Sequence, residues 1–170
     1  MDKDSYYLSS INIHSDHRGF FFESFRKNDF NNIEFVQDNI SHSTKGALRG
    51  LHYQYTFPQS KLITVVKGKI FDVILDLRKN SNTFMQLFNF TLTQDINNRL
   101  FIPRGFAHGF QCLSKECTII YKTDNYYKPS DQFGVFPLDS KLNINWPIEK
   151  KIISNNDKIL PKLSEIKNFF

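Results

Sequence analysis

Apolar and polar positions alternate along most of this chain in short runs, the period of half-buried β-strands. Lys61–Val66 (KLITVV) and Lys69–Leu77 (KIFDVILDL) are separated by Lys67-Gly68, a spacing that predicts a tight hairpin. In the second run Phe71, Val73, Leu75 and Leu77 share one face, and Asp72, Ile74 and Asp76 share the other. Thr83–Leu92 alternates in the same way. A turn is expected at Asp95–Asn98, then a strand at Arg99–Ile102 and a break at Pro103-Arg104-Gly105. His108–Leu113 and Thr118–Thr123 read as strands joined by Ser114-Lys115-Glu116. Strands at this spacing predict an all-β fold, an antiparallel sandwich or small barrel. Helix is scarce. Asn28–Asn32 has room for one turn, and Leu163, Ile166 and Phe170 are spaced for one face of a short helix capping the barrel.

Length and composition narrow the picture further. The 170 residues suit one domain, since domains usually run to about 100–200 residues. With 18 Phe and 7 Tyr, the core is built from flat rings that suit sheets better than helices. Lys and Arg number 22 against 17 Asp and Glu, a scattered excess of +5 that suits a small anion such as a nucleotide diphosphate. Nucleic acid is not an expected partner, because the basic residues form no long run. Nor is a membrane, because no apolar stretch is long enough to span one. The N-terminus is polar and charged, so no signal peptide is expected and the cytoplasm is the default location. Cys112 and Cys117 flank an expected turn and could face each other, but without a secretion signal a disulfide is not the expectation.

Several strands carry Asn, His, Arg, Lys or Tyr where an inward face normally holds Val, Leu or Phe; pointing inward, these would line a wet cavity. Asp16–Ser24 (DHRGFFFES) reads by composition as a strand entering the core, with Arg18 and Glu23 on the surface. In Phe35–Gln54, Gln37, Asn39 and Ser41 alternate on one face. Arg49 and His52 lie close together, with Lys61 a few residues on. That set could supply a general base beside two anion-holding cations, since imidazole titrates nearest neutral pH. In FIPRGFAHGF, His108 is either a buried, backbone-bonded histidine or part of a site. Metal ligation is disfavoured, because barrels of the cupin type use His-x-His and this chain has none. Tyr121 ends a strand, and Tyr126-Tyr127 either pack a corner or stack on a planar base. Asp157 has no partner nearby in the sequence.

Taken in order, DHRGFFFES, FVQDN, RGLHYQ, KL, FDVILDLR, IPRGFAHGF, the YK-x-x-NYY-x-P run of Tyr121–Pro129, and INWP resemble the dTDP-4-dehydrorhamnose 3,5-epimerase family from about Asp16 to Leu160. RGLHYQ and IPRGFAHGF, with a Tyr about a dozen residues later, are specific in combination. The resemblance implies a cupin-like jelly-roll barrel with short peripheral helices, its core at about 16–148 and a C-terminal segment, 149–170, capping the site. It implies a homodimer that inverts C3 or C5, or both, of a nucleotide-linked 4-keto-6-deoxy sugar, with no metal or redox cofactor. By position, His52 matches the general base, Asp157 its carboxylate partner, and Tyr121 the acid on the opposite face. Lys61 and His108 match groups near the sugar, and Tyr127 the ring that stacks on the base. Arg18, Glu23, Gln37, Asn39 and Arg49 match other substrate contacts.

The chemistry is coherent. A ketone at C4 acidifies the hydrogens on C3 and C5, and inversion needs a base on one face and a proton donor on the other. The chain departs from the family pattern at Met85, where Gly is usual, at Gln132, where an acid is expected near the nucleotide, and at Asn156, where Lys is common. The last two leave GDP- or CDP-linked sugars, or a 4-keto heptose, open beside dTDP. A 3,4-ketoisomerase and a non-catalytic sugar-nucleotide-binding barrel are the alternatives.

Overall fold

The strand periodicity is realised as two facing antiparallel sheets and a separate hairpin in a computed structural model that describes residues 4–31, 33–95 and 98–170. The strands are β1 Tyr7–Ser10, β2 Ile13–Asp16, β3 Gly19–Phe22, β4 Gln37–Thr44, β5 Ala47–Gln54, β6 Lys61–Lys67 and β7 Lys69–Asp76. They continue with β8 Leu87–Thr93, β9 Asn98–Ile102, β10 Phe106–Cys112, β11 Glu116–Thr123, β12 Gln132–Gly134 and β13 Ile152–Ile153. One sheet has the order β1-β9-β6-β11-β4; the other has β12-β5-β10-β7-β8, with β13 parallel to β5. β2 and β3 pair only with each other. The layout is the expected all-β jelly-roll type.

Consecutive strands mostly cross from one sheet to the other. This corrects the hairpin expected at Lys67-Gly68: β6 pairs with β9 and β11, whereas β7 pairs with β10 and β8. Gly68 makes that crossing at φ +78, where a Cβ would sit 2.2 Å from the Glu116 carbonyl oxygen. Alternation reports which side chains face inward; it says nothing about which strand lies alongside.

The core between the sheets contains Ile63, Val65, Ile70, Ile74, Leu100, Ile102, Phe106, Phe110 and Ile119. Cys112 and Cys117 lie in this core as buried free thiols. The opposite face of β7, with Phe71, Val73, Leu75 and Leu77, is covered by the chain after β12: Leu142, Trp146, Leu163, Ile166 and Phe170 pack there. The central sheet is therefore buried on both faces, and only the inner one carries acids. On the outer face of the other sheet, Leu62 and Phe101 are closed over by Phe30, with Phe25 and Phe35 beside it.

The Thr83–Leu92 strand begins later than expected, at Leu87. Met85 sits at φ 64, in the left-handed region where glycine is at ease, so the chain turns there instead of extending. The turn within Asn28–Asn32 is a 3-10 helix at Lys27–Phe30, and Asn32 lies outside the described residues. The Asp95–Asn98 turn includes residues 96 and 97, which also lie outside them. The C-terminal helix is limited to a 3-10 turn at Leu163–Glu165, and the one α-helix among the described residues is α1, Asn155–Lys158. No helix among those residues is long and apolar enough to cross a membrane.

Candidate active site

Polar side chains on the inner faces of the two sheets enclose a cavity of about 600 Å³. From β5 come Arg49 and His52, and from β10 His108. Lys61 of β6 and Tyr121 of β11 reach in from the facing sheet. Gln132 and Asp157 complete the set that the sequence proposed for one site. Residues that span more than a hundred positions of chain thus open into one space. Sheets packed face to face stand roughly 10 Å apart, room for one sugar ring between His52 and Tyr121.

His52 is backed by a buried carboxylate. Its Nε2 lies 2.6 Å from Asp157 Oδ1, so Nε2 carries a hydrogen and donates it. The other ring nitrogen, Nδ1, is left for the cavity. Asp157 sits in α1, whose N-cap Ser154 accepts a hydrogen bond from the Asp157 amide at 3.1 Å. Burial raises the Asp157 carboxyl, but the hydrogen bond and charge of His52 and the Gly50 amide outweigh it and hold it below the usual carboxylate value. Gly50 also sets the strand spacing: a Cβ there would sit 2.5 Å from the His108 carbonyl oxygen. The two histidines are partners in the β5–β10 register.

On the facing sheet, Lys61 is pushed down to about 8 by burial, against the pull of Asp72. Burial also raises the Tyr121 phenol above its ordinary value; Arg49 works against this and Tyr127 with it. Tyr121 is therefore a phenol with its proton in place at neutral pH. Arg49 is braced by Nε donating to Ser43 Oγ at 2.9 Å and Nη2 donating to the His42 carbonyl at 3.1 Å. Together these groups can take a proton on one side of a ring, deliver one on the other, and stabilise an oxyanion between them.

The remaining sequence-derived candidates are placed differently. Tyr127 borders a recess of about 90 Å³ shared with His52, Lys61, Tyr121 and Gln132, and its hydroxyl donates to Gln132 Oε1. The Tyr127 amide donates to Gln37 Oε1 at 2.9 Å, and Gln37 Nε2 donates to Asn39 Oδ1 at 2.8 Å. Gln37 and Asn39 thus stand on the β4 face that carries Ser41 and Ser43; those two serines line the cavity, and Gln37 and Asn39 do not. Arg18 and Glu23 are not brought to the cavity. Arg18 pairs with Asp16 and Glu23 with Arg26, all on the surface. The β2–β3 hairpin does not enter the core as its composition suggested: Phe20 and Phe21 are 67% and 68% exposed.

Sequence reasoning missed Asp72, which is fully buried and hydrogen-bonded to His108. The signal was present, because the alternation put Asp72 on the same face as Ile74, where an acid needs a partner. Among the described residues no group of three or more His, Cys, Asp or Glu side chains is placed to hold a metal ion.

Fold and cavity together define a jelly-roll barrel with an internal pocket lined by titratable side chains. The family model for dTDP-4-dehydrorhamnose 3,5-epimerase matches residues 3–165. The dTDP-4-dehydrorhamnose 3,5-epimerase of Shigella flexneri is 44% identical over 151 residues, covering 85% of this chain and 83% of that one. Among solved structures, the Bacillus anthracis enzyme of that name, with TDP and PPi bound, has a TM-score of 0.90 and 41% identity, covering 96% and 97% of the two chains. The dTDP-6-deoxy-D-glucose-3,5-epimerase of Legionella pneumophila, in complex with dTDP-4-keto-L-rhamnose, has a TM-score of 0.91 and 39% identity, covering 98% and 91%. The chain belongs to the dTDP-4-dehydrorhamnose 3,5-epimerase family, a group of isomerases.

Proposed function

We propose that this protein epimerises a nucleotide-linked 4-keto-6-deoxy sugar, with dTDP as the first nucleotide to test. One observation carries the reading: an aspartate-backed imidazole on one sheet and a protonated phenol on the other open into the same cavity, with an ammonium beside them. His52 Nδ1 takes the proton from the carbon next to the ketone, and the C–H pair becomes the enolate double bond. Lys61 stabilises the charge that gathers on the C4 oxygen. Tyr121 returns a proton to the opposite face of the carbon, which inverts it. Arg49, with its guanidinium braced from one edge, holds phosphate oxygens with the other. Tyr127, fixed through its amide and its hydroxyl, offers its ring to the base.

The reading extends to a cytoplasmic homodimer. Arg18, in the β2–β3 turn, and Glu23, just after β3, by resemblance touch substrate, yet neither lines this chain's own cavity. The hairpin exposes Phe20 and Phe21, and the edge strand β4 exposes Ile40 at 72%. A second copy covering these surfaces would bury the apolar rings and receive the hairpin at its own site.

The test replaces His52 with Asn. Deuterium uptake from heavy water into C3 and C5 of dTDP-4-keto-6-deoxyglucose should be lost, while dTDP binding, measured by calorimetry, should stay within about threefold. Uptake at the wild-type rate in that variant would remove His52 as the base.

A further inference from the structure

Tyr127 stands on a segment with no ladder to hold it. Residues 124–128 form neither strand nor helix, and Tyr127 is 47% exposed where it borders the small recess shared with His52, Lys61 and Tyr121. A loop side chain that meets a flat ligand loses conformational freedom on binding unless the chain beneath it is already fixed. Here the chain is fixed by Gln54, a buried residue that ends β5 two positions after His52. Gln54 Nε2 donates to the Phe57 carbonyl at 2.9 Å and to the Tyr126 carbonyl at 3.3 Å, and its Oε1 accepts from the Lys128 amide at 2.6 Å. The Tyr127 amide itself is taken by Gln37 Oε1.

The peptide group before Tyr127 is therefore held at its oxygen and its nitrogen, and the one after it at its nitrogen. Peptide groups are planar, so the φ and ψ of Tyr127 are the rotations between two planes that are both pinned. The far end of the ring is tied to the same pair of strands. Gln132, which accepts from the Tyr127 hydroxyl, is the β12 residue opposite Gln54 in the register. Other bonds joining the loops after β5 and β11 land elsewhere: Gln59 Nε2 donates to the Asn125 carbonyl at 2.9 Å, and the Asp131 carboxylate accepts from the Thr56 and Phe57 amides. None of these reaches a peptide group beside Tyr127. Loss of the Gln54 amide would free Tyr127 and leave the loops joined.

We propose that Gln54 is a positioning residue that pre-orders Tyr127 as the platform for the nucleobase, and so raises nucleotide affinity through that ring. This rests on the reading of Tyr127 as the ring that stacks on the base. Gln54 acts through Tyr127 because both N–H groups and the carbonyl oxygen of its amide are already engaged within the protein. Stacking a base on an aromatic side chain is worth roughly 5- to 150-fold in affinity, and a ring that must first be ordered forfeits part of it.

Calorimetry with dTDP and with inorganic pyrophosphate, which has the phosphates and no base, tests the proposal. Gln54→Met should weaken dTDP at least about fivefold and leave pyrophosphate within about twofold. Tyr127→Ala should weaken dTDP by at least as much. Added to Tyr127→Ala, Gln54→Met should cost less than about a further twofold, because the ring it positions is gone. Equal weakening of dTDP and pyrophosphate, unchanged dTDP affinity, or the same loss with and without the Tyr127 ring would each overturn the proposal. If Gln54→Met does not fold, amide exchange in the ligand-free wild-type protein decides: the Tyr127 and Lys128 amides should exchange at least about 100-fold more slowly than in an unstructured chain, and exchange at the unstructured rate would overturn it. Should Tyr127→Ala bind dTDP like the wild type, the reading of Tyr127 fails and the proposal with it. Should that variant weaken dTDP while Gln54→Met does not, the positioning role alone fails.

Discussion

Replacing Asp157 with Asn probes the base directly, because the substitution keeps shape and reverses one hydrogen bond. In the wild-type protein the Asp157 carboxylate accepts from His52 Nε2 at 2.6 Å, and the lone pair is on Nδ1. An asparagine at the same place can turn its amide N–H toward Nε2. The imidazole hydrogen then moves to Nδ1, and the atom that should take the substrate's proton is already occupied. The charge that would stabilise the imidazolium is lost as well. The equivalent change in a Ser-His-Asp triad lowers kcat by about 10⁴, so a fall on the order of 10³–10⁴ is expected here. That corresponds to about 4–5.5 kcal/mol of barrier. Stability should change far less, because the amide still occupies the 5%-exposed pocket and still accepts from Gly50. The assay is deuterium incorporation under saturating substrate, with the melting transition recorded on the same sample. A folded Asp157→Asn protein within tenfold of wild-type kcat would refute the reasoning.

Other predictions follow from the same geometry. Tyr121→Phe should leave His52 able to exchange the carbon-bound hydrogen, so deuterium should still enter while product with inverted configuration falls at least tenfold by NMR; equal loss of both would count against a separate acid. With the Lys61 amine held at about 8, kcat/KM should fall as pH rises above that value, because the ammonium loses its charge. Stability should move the other way: the unfolded chain binds more protons between about 8 and the ordinary 10.5, so the midpoint in urea should rise across that window, and Lys61→Met should flatten both responses. The double substitution Phe20→Ser and Phe21→Ser should weaken self-association in sedimentation experiments while changing monomer stability by less than about 0.5 kcal/mol, since both rings are exposed. An unaltered dimer would remove the hairpin from the interface.

How much of this was legible in the sequence depends on the kind of information required. The facing of β7 was legible, because alternation alone separates Phe71, Val73, Leu75 and Leu77 from Asp72, Ile74 and Asp76. The partner of each strand was not, because the crossing at Gly68 has the same local signature as a hairpin turn. The inward polar residues His52, Lys61, His108 and Tyr121 could be chosen by type, but only the two-sheet arrangement brings them into one cavity. Asp157 has no partner near it in the sequence, and only the position of α1 brings it to His52 from more than a hundred residues away. Asp72 was legible only as one member of an alternating pattern, since its contact with His108 is a diagonal one to a strand far along the chain. Three phenylalanines in Phe20–Phe22 suggested a core strand, and composition could not reveal that the hairpin projects outward.

The central claim is that carbon acids beside a ketone are ionised and reprotonated inside this barrel. Its most direct test incubates the wild-type protein with dTDP-4-keto-6-deoxyglucose in heavy water and locates deuterium by NMR. The account predicts label at C3, C5 or both, inverted configuration at a labelled centre, and a ketone that stays at C4. A carbonyl shifted to C3, or tight binding with no label at either carbon, would contradict it.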